Sequence, residues 1–91
     1  MNELWTREAK NTFTENIEYL KKRWTTKEVE AFVEKTFKAI DIIKLNPNVG
    51  QWDKDWGASK FLVVPQIYLL YDLIDGDLVL ITFWNNYQKP L

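Results

Sequence analysis

Neither cysteine nor histidine occurs in this chain of 91 residues. The absence of cysteine excludes disulfide bonds and thiolate chemistry. The absence of histidine removes the commonest metal ligand and the commonest general base, so we expect no metal site and no cofactor. No apolar run approaches the roughly 18 residues that span a bilayer, and the N-terminus lacks the basic start and apolar segment of a signal peptide. We therefore expect a cytoplasmic protein with no membrane partner.

Positive charge is scarce in the last third of the chain. The net charge is -1, and eleven of the twelve lysines and arginines lie within residues 1–60. The segment from Phe61 to Trp84 contains no lysine or arginine but does contain Asp72, Asp75 and Asp77. Such a distribution gives no general attraction for polyanions, so direct sequence-specific binding of nucleic acid is not expected.

Two amphipathic helices are predicted in the first half of the chain. Thr6 is a suitable N-cap for the first helix, and Thr25 with Glu28 has the spacing of a capping box that begins the second. The residue before Pro47 avoids the helical region, which ends the second helix near Asn46. Apolar side chains recur every three or four residues, as expected for buried helix stripes, at Ala9, Phe13, Ile17, Leu20 and Trp24, then at Val29, Phe32, Val33, Phe37, Ile40 and Ile43.

Short apolar strands are predicted in the second half, from Lys60 to Val64, Ile67 to Ile74 and Leu78 to Trp84. Asp75-Gly76 between the last two is a strong hairpin signal. Residues 51–56 have no strand pattern and are expected to form a loop, whereas residues 3–6 could add a fourth strand. The predicted fold is α+β. An antiparallel helical hairpin packs on a three- to four-stranded antiparallel sheet in a single domain, residues 1–91.

The predicted strands are apolar on both faces, for example from Phe61 to Val64 and from Leu78 to Ile81. An antiparallel sheet with one solvated face normally alternates polar and apolar residues. The face away from the helices must therefore be covered by a partner polypeptide or by the chain's own Trp52, Trp56 and C-terminal tail.

Four segments in order resemble the RelE/ParE toxin superfamily, in its plasmid stabilization branch. They are the Asn46 to Gly50 break after the helical hairpin, the strands Lys60 to Val64 and Ile67 to Tyr71, and the closing segment Phe83 to Pro90. The resemblance covers nearly the whole chain. It implies the toxin of a type II toxin–antitoxin system, neutralised by a cognate antitoxin protein.

The superfamily contains two modes of action, and the residues can be weighed between them. RelE-like members are ribosome-dependent mRNA endonucleases that use strand lysines and arginines. Here Lys60 and Tyr87 match that catalytic pattern, but Leu69 stands beside Tyr68 where an arginine is expected, and Tyr87 stands where the last strand region usually offers another. RNA cleavage needs a base, an acid and cations around the phosphate, so this mode is the alternative.

ParE-like members instead bind DNA gyrase and need no catalytic residues. We therefore expect a non-enzymatic toxin that binds gyrase. The alternatives are the ribosome-dependent endoribonuclease or a degenerate, non-toxic member that only binds its antitoxin. Packing at the sheet end is the simpler role for Trp84. By position in the family pattern, the expected binding residues are Trp84, Asn86, Tyr87, Lys89 and Leu91.

Overall fold

The computed structural model describes residues 1–88, so two of the predicted binding residues, Lys89 and Leu91, lie outside the described residues. The described chain contains two helices, one 3-10 turn and five strands. In chain order these are β1 (Glu3–Trp5), α1 (Arg7–Arg23), α2 (Thr26–Leu45), the 3-10 turn (Pro47–Val49), β2 (Gln51–Asp53), β3 (Ala58–Val64), β4 (Ile67–Ile74) and β5 (Asp77–Asn85).

Both predicted helix starts are confirmed by their caps. The hydroxyl of Thr6 accepts a hydrogen bond from the backbone N–H of Ala9 at 2.9 Å and donates one to the carbonyl of Ile81 at 2.7 Å, which ties the start of α1 to β5. At the start of α2, the Glu28 carboxylate accepts hydrogen bonds from the backbone N–H and the hydroxyl of Thr25, in the predicted capping box. Only two residues separate the helices, which form the predicted hairpin.

The sheet has the order β1-β5-β4-β3-β2, and the α+β architecture is confirmed. The strands β3, β4 and β5 form the predicted antiparallel meander. The sheet nevertheless has five strands and is mixed, because β1 pairs parallel to β5 and β2 pairs antiparallel to β3. The segment expected to be a loop thus begins with a three-residue edge strand, which is too short to show an alternating pattern in sequence.

The core lies between the helices and one face of the sheet, which we call the helical face. Ile67, Leu69, Tyr71, Leu80 and Phe83 point into it and are almost fully buried. They pack against helix residues that include Leu20, Phe32, Ile40 and Ile43.

Two residues of the predicted helix stripes are exposed. Phe37 is 50% exposed and Trp24 is 40% exposed. The buried stripe of α2 passes through Thr36 instead of Phe37. A threonine can occupy this position because its hydroxyl donates to the carbonyl of Phe32 at 2.7 Å, so no polar atom is left unpaired. Trp24 follows the last residue of α1 and no longer lies on its stripe.

Neither helix within residues 1–88 has the length and hydrophobicity needed to span a bilayer.

Candidate functional site at the C-terminal turn

A buried polar network joins α1 to the end of β5. The side-chain amide of Asn16 donates to the carbonyls of Thr12 and Phe83 at 2.9 and 3.0 Å. Its oxygen accepts from the side-chain amide of Asn85 at 3.0 Å. The Thr12 hydroxyl accepts from the backbone N–H of Phe83 at 2.9 Å. Asn16 and Asn85 are both buried, so this network sets the position of the chain where β5 ends.

The turn after β5, residues 86–88, is held by the other end of the Asn85 side chain. The oxygen of Asn85 accepts hydrogen bonds from the backbone N–H groups of Tyr87 and Gln88, both at 2.9 Å. The backbone N–H of Asn86 donates to the carbonyl of Gln66 at 2.7 Å. Three backbone donors of the turn are therefore bound to the fold, and Tyr87 is carried on an ordered segment.

The ring of Tyr87 lies against the ring of Trp24, with centroids 5.9 Å apart and planes inclined at 49°. Both rings remain accessible, at 51% exposure for Tyr87 and 40% for Trp24. They line an open groove of about 360 Å³ between the start of α2 and the β3–β4 turn. We call it the aromatic cleft, and its other lining residues are Glu28, Ala31, Lys35, Val64, Pro65 and Gln66.

Trp84 lies on the opposite side of the sheet, which we call the outer face. Its ring meets that of Trp56 edge to face, with centroids 5.1 Å apart. Leu70 pairs with Lys60 in the register of the sheet and therefore lies on the same face. Its side chain is fully buried, but it is not part of the core under the helices. The loop carrying Trp56 therefore covers part of the outer face, while Leu62 stays 48% exposed.

The structure does not bring Lys60 and Tyr87 together. The Lys60 ammonium lies on the outer face, 3.6 Å from a carboxylate oxygen of Asp53 and 5.3 Å from the ring centroid of Tyr68. The side chains of Lys60 and Asp53 are only 18% and 19% exposed. Tyr87 packs instead on Trp24, at the end of α1. The phenol nearest the strand lysine is thus Tyr68, and the ammonium is already neutralised by a carboxylate.

Residues 1–88 contain no cluster of three or more acidic side chains able to hold a metal ion. Two residues that shape the site do not follow from the sequence pattern. The helical periodicity places Trp24 on a buried stripe, and an apolar pattern gives no reason to expect the polar side chain of Asn16 in the core. Trp24 directly follows the basic last turn of α1, Lys21 to Arg23. This position is the sequence signal that its side chain is exposed at the helix end.

No family model and no curated protein matches the sequence of this chain. Several solved structures share its fold, including the following two. A structure described as the chromosomal ParDE TA system from P. aeruginosa superimposes with a TM-score of 0.76 at 10% identity, over 93% of this chain and 95% of that one. A YoeB/ParE toxin from Agrobacterium tumefaciens gives a TM-score of 0.66 at 16% identity, over 93% and 98%. These likenesses confirm a RelE/ParE-type fold.

Proposed function

We propose that this chain, which has the fold of ParE and YoeB toxins, is the toxin of a type II toxin–antitoxin module. In this proposal it acts in the ParE-like mode, by binding DNA gyrase, and a cognate antitoxin neutralises it. The observation that carries the proposal is the match, over 93% of this chain, to two toxin-type structures, one of them from a ParDE system. The resemblance of short sequence segments to the RelE/ParE superfamily also supports it.

The distribution of cations favours binding over catalysis. Cleavage of RNA through its 2′-hydroxyl requires positive charge around the scissile phosphate. From Phe61 to Trp84 the strands contain no lysine or arginine, and the preceding Lys60 is paired with Asp53. Because the expected partner of Lys60 in a nuclease, Tyr87, contacts Trp24 instead, these residues give little support for a ribonuclease site.

The surface proposed to meet gyrase is the C-terminal turn with the end of β5. Tyr87 and Trp84 present aromatic rings on two sides of this turn, and aromatic side chains are favoured hot spots of protein interfaces. The turn is held in one conformation by Asn85, so little ordering entropy is lost on binding. Asn86, Lys89 and Leu91 remain predicted members of the surface.

The experiment is gyrase-dependent cleavage of supercoiled plasmid in the presence of ATP and the purified chain. Accumulation of linear DNA is expected for the wild type, with a clear reduction for Tyr87→Ala. The matched control is Trp52→Ala, which removes an aromatic ring that is 59% exposed on edge strand β2. Intact plasmid with folded protein would contradict gyrase poisoning.

The ribonuclease alternative makes a different prediction about one residue. If the chain cuts mRNA on the ribosome, Lys60→Ala abolishes toxicity while antitoxin binding survives. If the chain binds gyrase, the same variant stays toxic. A degenerate member would leave growth unaffected on expression and would still bind the product of an adjacent antitoxin gene in a calorimeter.

A further inference from the structure

The side-chain amide of Gln66 has no partner in the fold. Gln66 follows Pro65 in the turn between β3 and β4 and is only 5% exposed. Its backbone carbonyl accepts a hydrogen bond from the N–H of Asn86 at 2.7 Å, which fixes its position beside the C-terminal turn. The side-chain amide, however, forms no hydrogen bond within residues 1–88. Amides of buried residues are normally paired, because the loss of their hydration is otherwise uncompensated.

The amide of Gln66 opens into the aromatic cleft. No fully buried side-chain nitrogen or oxygen within residues 1–88 lacks a partner, so the polar atoms of this amide must reach the surface. Gln66 lines the cleft together with the rings of Trp24 and Tyr87, which are 40% and 51% exposed. The cleft thus combines accessible aromatic rings with a donor and an acceptor that the protein leaves unused.

The charges that line the cleft offset each other. Lys35 contributes an ammonium group, and Glu28 contributes a carboxylate that accepts hydrogen bonds from the backbone N–H and the hydroxyl of Thr25. The other lining residues are uncharged. An uncharged ligand therefore fits better than a polyanion, which would need a basic groove along its backbone. The volume of about 360 Å³ is within the range of small-molecule pockets, about 300–1,000 Å³.

We propose that the aromatic cleft binds a nucleobase, with adenine as the preferred base. The base stacks on the accessible rings of Trp24 and Tyr87, as unpaired bases do on aromatic side chains. The Gln66 side-chain oxygen accepts from the exocyclic amine of adenine, and its NH₂ group donates to the neighbouring ring nitrogen. Two sources share this chemistry, a free nucleoside or nucleotide and an unpaired base of a strand. The inference goes beyond the proposed function, because it involves neither gyrase nor an antitoxin.

A peptide fits the cleft less well than a base. The strands β3 and β4 are interior strands of the sheet, so the turn between them offers no open strand edge for pairing with a peptide backbone. A base also agrees with the lack of lysine and arginine from Phe61 to Trp84, because stacking and a bidentate hydrogen bond require no phosphate contact. A site for one base does not read a sequence.

The test is a titration of the ¹⁵N-labelled chain with nucleosides, followed by NMR. Adenosine is expected to bind with a Kd of about 1 mM, as stacking and one bidentate pair allow, and to shift the signals of the Trp24 indole and the Gln66 side-chain amide. The matched ligand is adenosine with two methyl groups on its exocyclic amine, which keeps the rings, removes the donor and should bind at least about tenfold more weakly. Adenosine monophosphate should bind within about threefold of adenosine, since one exposed ion pair with Lys35 adds little.

Two substitutions test the residues of the cleft. Gln66→Met keeps the length of the side chain and removes the amide, so the affinity for adenosine should fall at least about tenfold. Its urea midpoint should stay unchanged or rise, because the fold loses no hydrogen bond. The matched control is Gln88→Met, on an exposed side chain of the C-terminal turn. Trp24→Ala should also weaken binding about tenfold, with Trp52→Ala as its control, and Gln66→Met decides the test if Trp24→Ala fails to fold.

A strand and a duplex distinguish the two sources of the base. Tighter binding of oligodeoxyadenylate than of adenosine, with no binding of its paired duplex, assigns the site to an unpaired base, whereas equal or weaker binding assigns it to free nucleosides or nucleotides. Both results support the site.

Three results would overturn the inference. These are no shifts at about 10 mM adenosine, equal binding of adenosine and its dimethylated form, and tighter binding of a short uncharged peptide at the same signals. Linear plasmid in the gyrase assay together with any of these would leave the proposed function standing and remove only the base site.

Discussion

Replacing Asn85 with aspartate tests whether the C-terminal turn is held by the Asn16–Asn85 hydrogen bond. The substitution conserves the shape of the side chain. A carboxylate can still accept from the backbone N–H groups of Tyr87 and Gln88, as the Asn85 oxygen does now. What it loses is the amide donor that reaches the Asn16 oxygen at 3.0 Å. Two oxygens then face each other in a buried position.

The expected cost follows from the loss of one buried hydrogen bond. A typical bond contributes about 1 kcal/mol net, and an acceptor left unsatisfied in the interior costs about 1–3 kcal/mol. Rotating the Asn16 amide does not help, because its oxygen would then face the carbonyls of Thr12 and Phe83 that its nitrogen now binds. We therefore expect Asn85→Asp to lower the free energy of unfolding by about 2–4 kcal/mol, a large part of the stability of a small domain.

The assay is urea unfolding at neutral pH, followed by circular dichroism. Gln88→Glu is the control, since it adds the same charge to an exposed side chain of the same turn, and it should cost less than about 0.5 kcal/mol. In an Asn16→Ala background the aspartate no longer faces an oxygen. The double-mutant cycle should therefore give a coupling of about 1–3 kcal/mol. An Asn85→Asp variant within about 0.5 kcal/mol of the wild type would refute the reasoning.

Two further predictions concern the other end of the molecule. Gly50→Ala should lower the free energy of unfolding by about 1–3 kcal/mol in urea, because an added Cβ would lie 2.5 Å from the Tyr71 hydroxyl oxygen; a neutral effect would contradict this contact. The hydrogen bond from the Trp5 indole, together with the Lys44 ammonium, lowers the pKa of Glu3 below its ordinary value. The ionised carboxylate therefore stabilises the fold above the ordinary glutamate pKa of about 4.3, and this stabilisation is lost as the pH falls through the lower folded value. The wild type should melt higher than Glu3→Gln at neutral pH, with the gap closing in acid, and a gap that widens in acid would reverse the assigned sign.

Local signals made the helix starts and the hairpin turn predictable. Asp75 and Gly76 have φ values of 52° and 81°, as a two-residue turn of the hairpin type requires, and aspartate and glycine tolerate this region better than most residues. The capping box of Thr25 and Glu28 is equally local. Such features depend on residues within four positions of each other, so one sequence contains all the information.

The buried faces were harder to predict because two polar residues take core positions. Thr36 and Asn16 are buried on the helix stripes, and each is tolerated there only because specific carbonyls accept its hydrogen bonds. The Asn16 partners include Phe83, which is 67 residues away. A pattern of apolar residues carries no information about such pairs, so it places Phe37 on the stripe instead of Thr36.

The candidate site is only partly predictable, because contacts between residues that are distant in sequence also shape it. Tyr87 and Trp84 could be selected by their position near the end of the chain. Their ring partners, Trp24 and Trp56, are separated from them by long stretches of sequence and meet them only in the folded protein. The sequence therefore predicts two aromatic residues at this surface, whereas the cleft formed with Trp24 and the start of α2 and the cover over the outer face follow from the tertiary structure.

The most direct test of the central claim is cleavage of supercoiled plasmid by gyrase in the presence of ATP, comparing the wild type with Lys60→Ala and Tyr87→Ala. The account predicts linear DNA with the wild type and with Lys60→Ala, and much less with Tyr87→Ala. Intact plasmid in all three reactions, with ribosome-dependent mRNA cleavage that is abolished in Lys60→Ala, would contradict it.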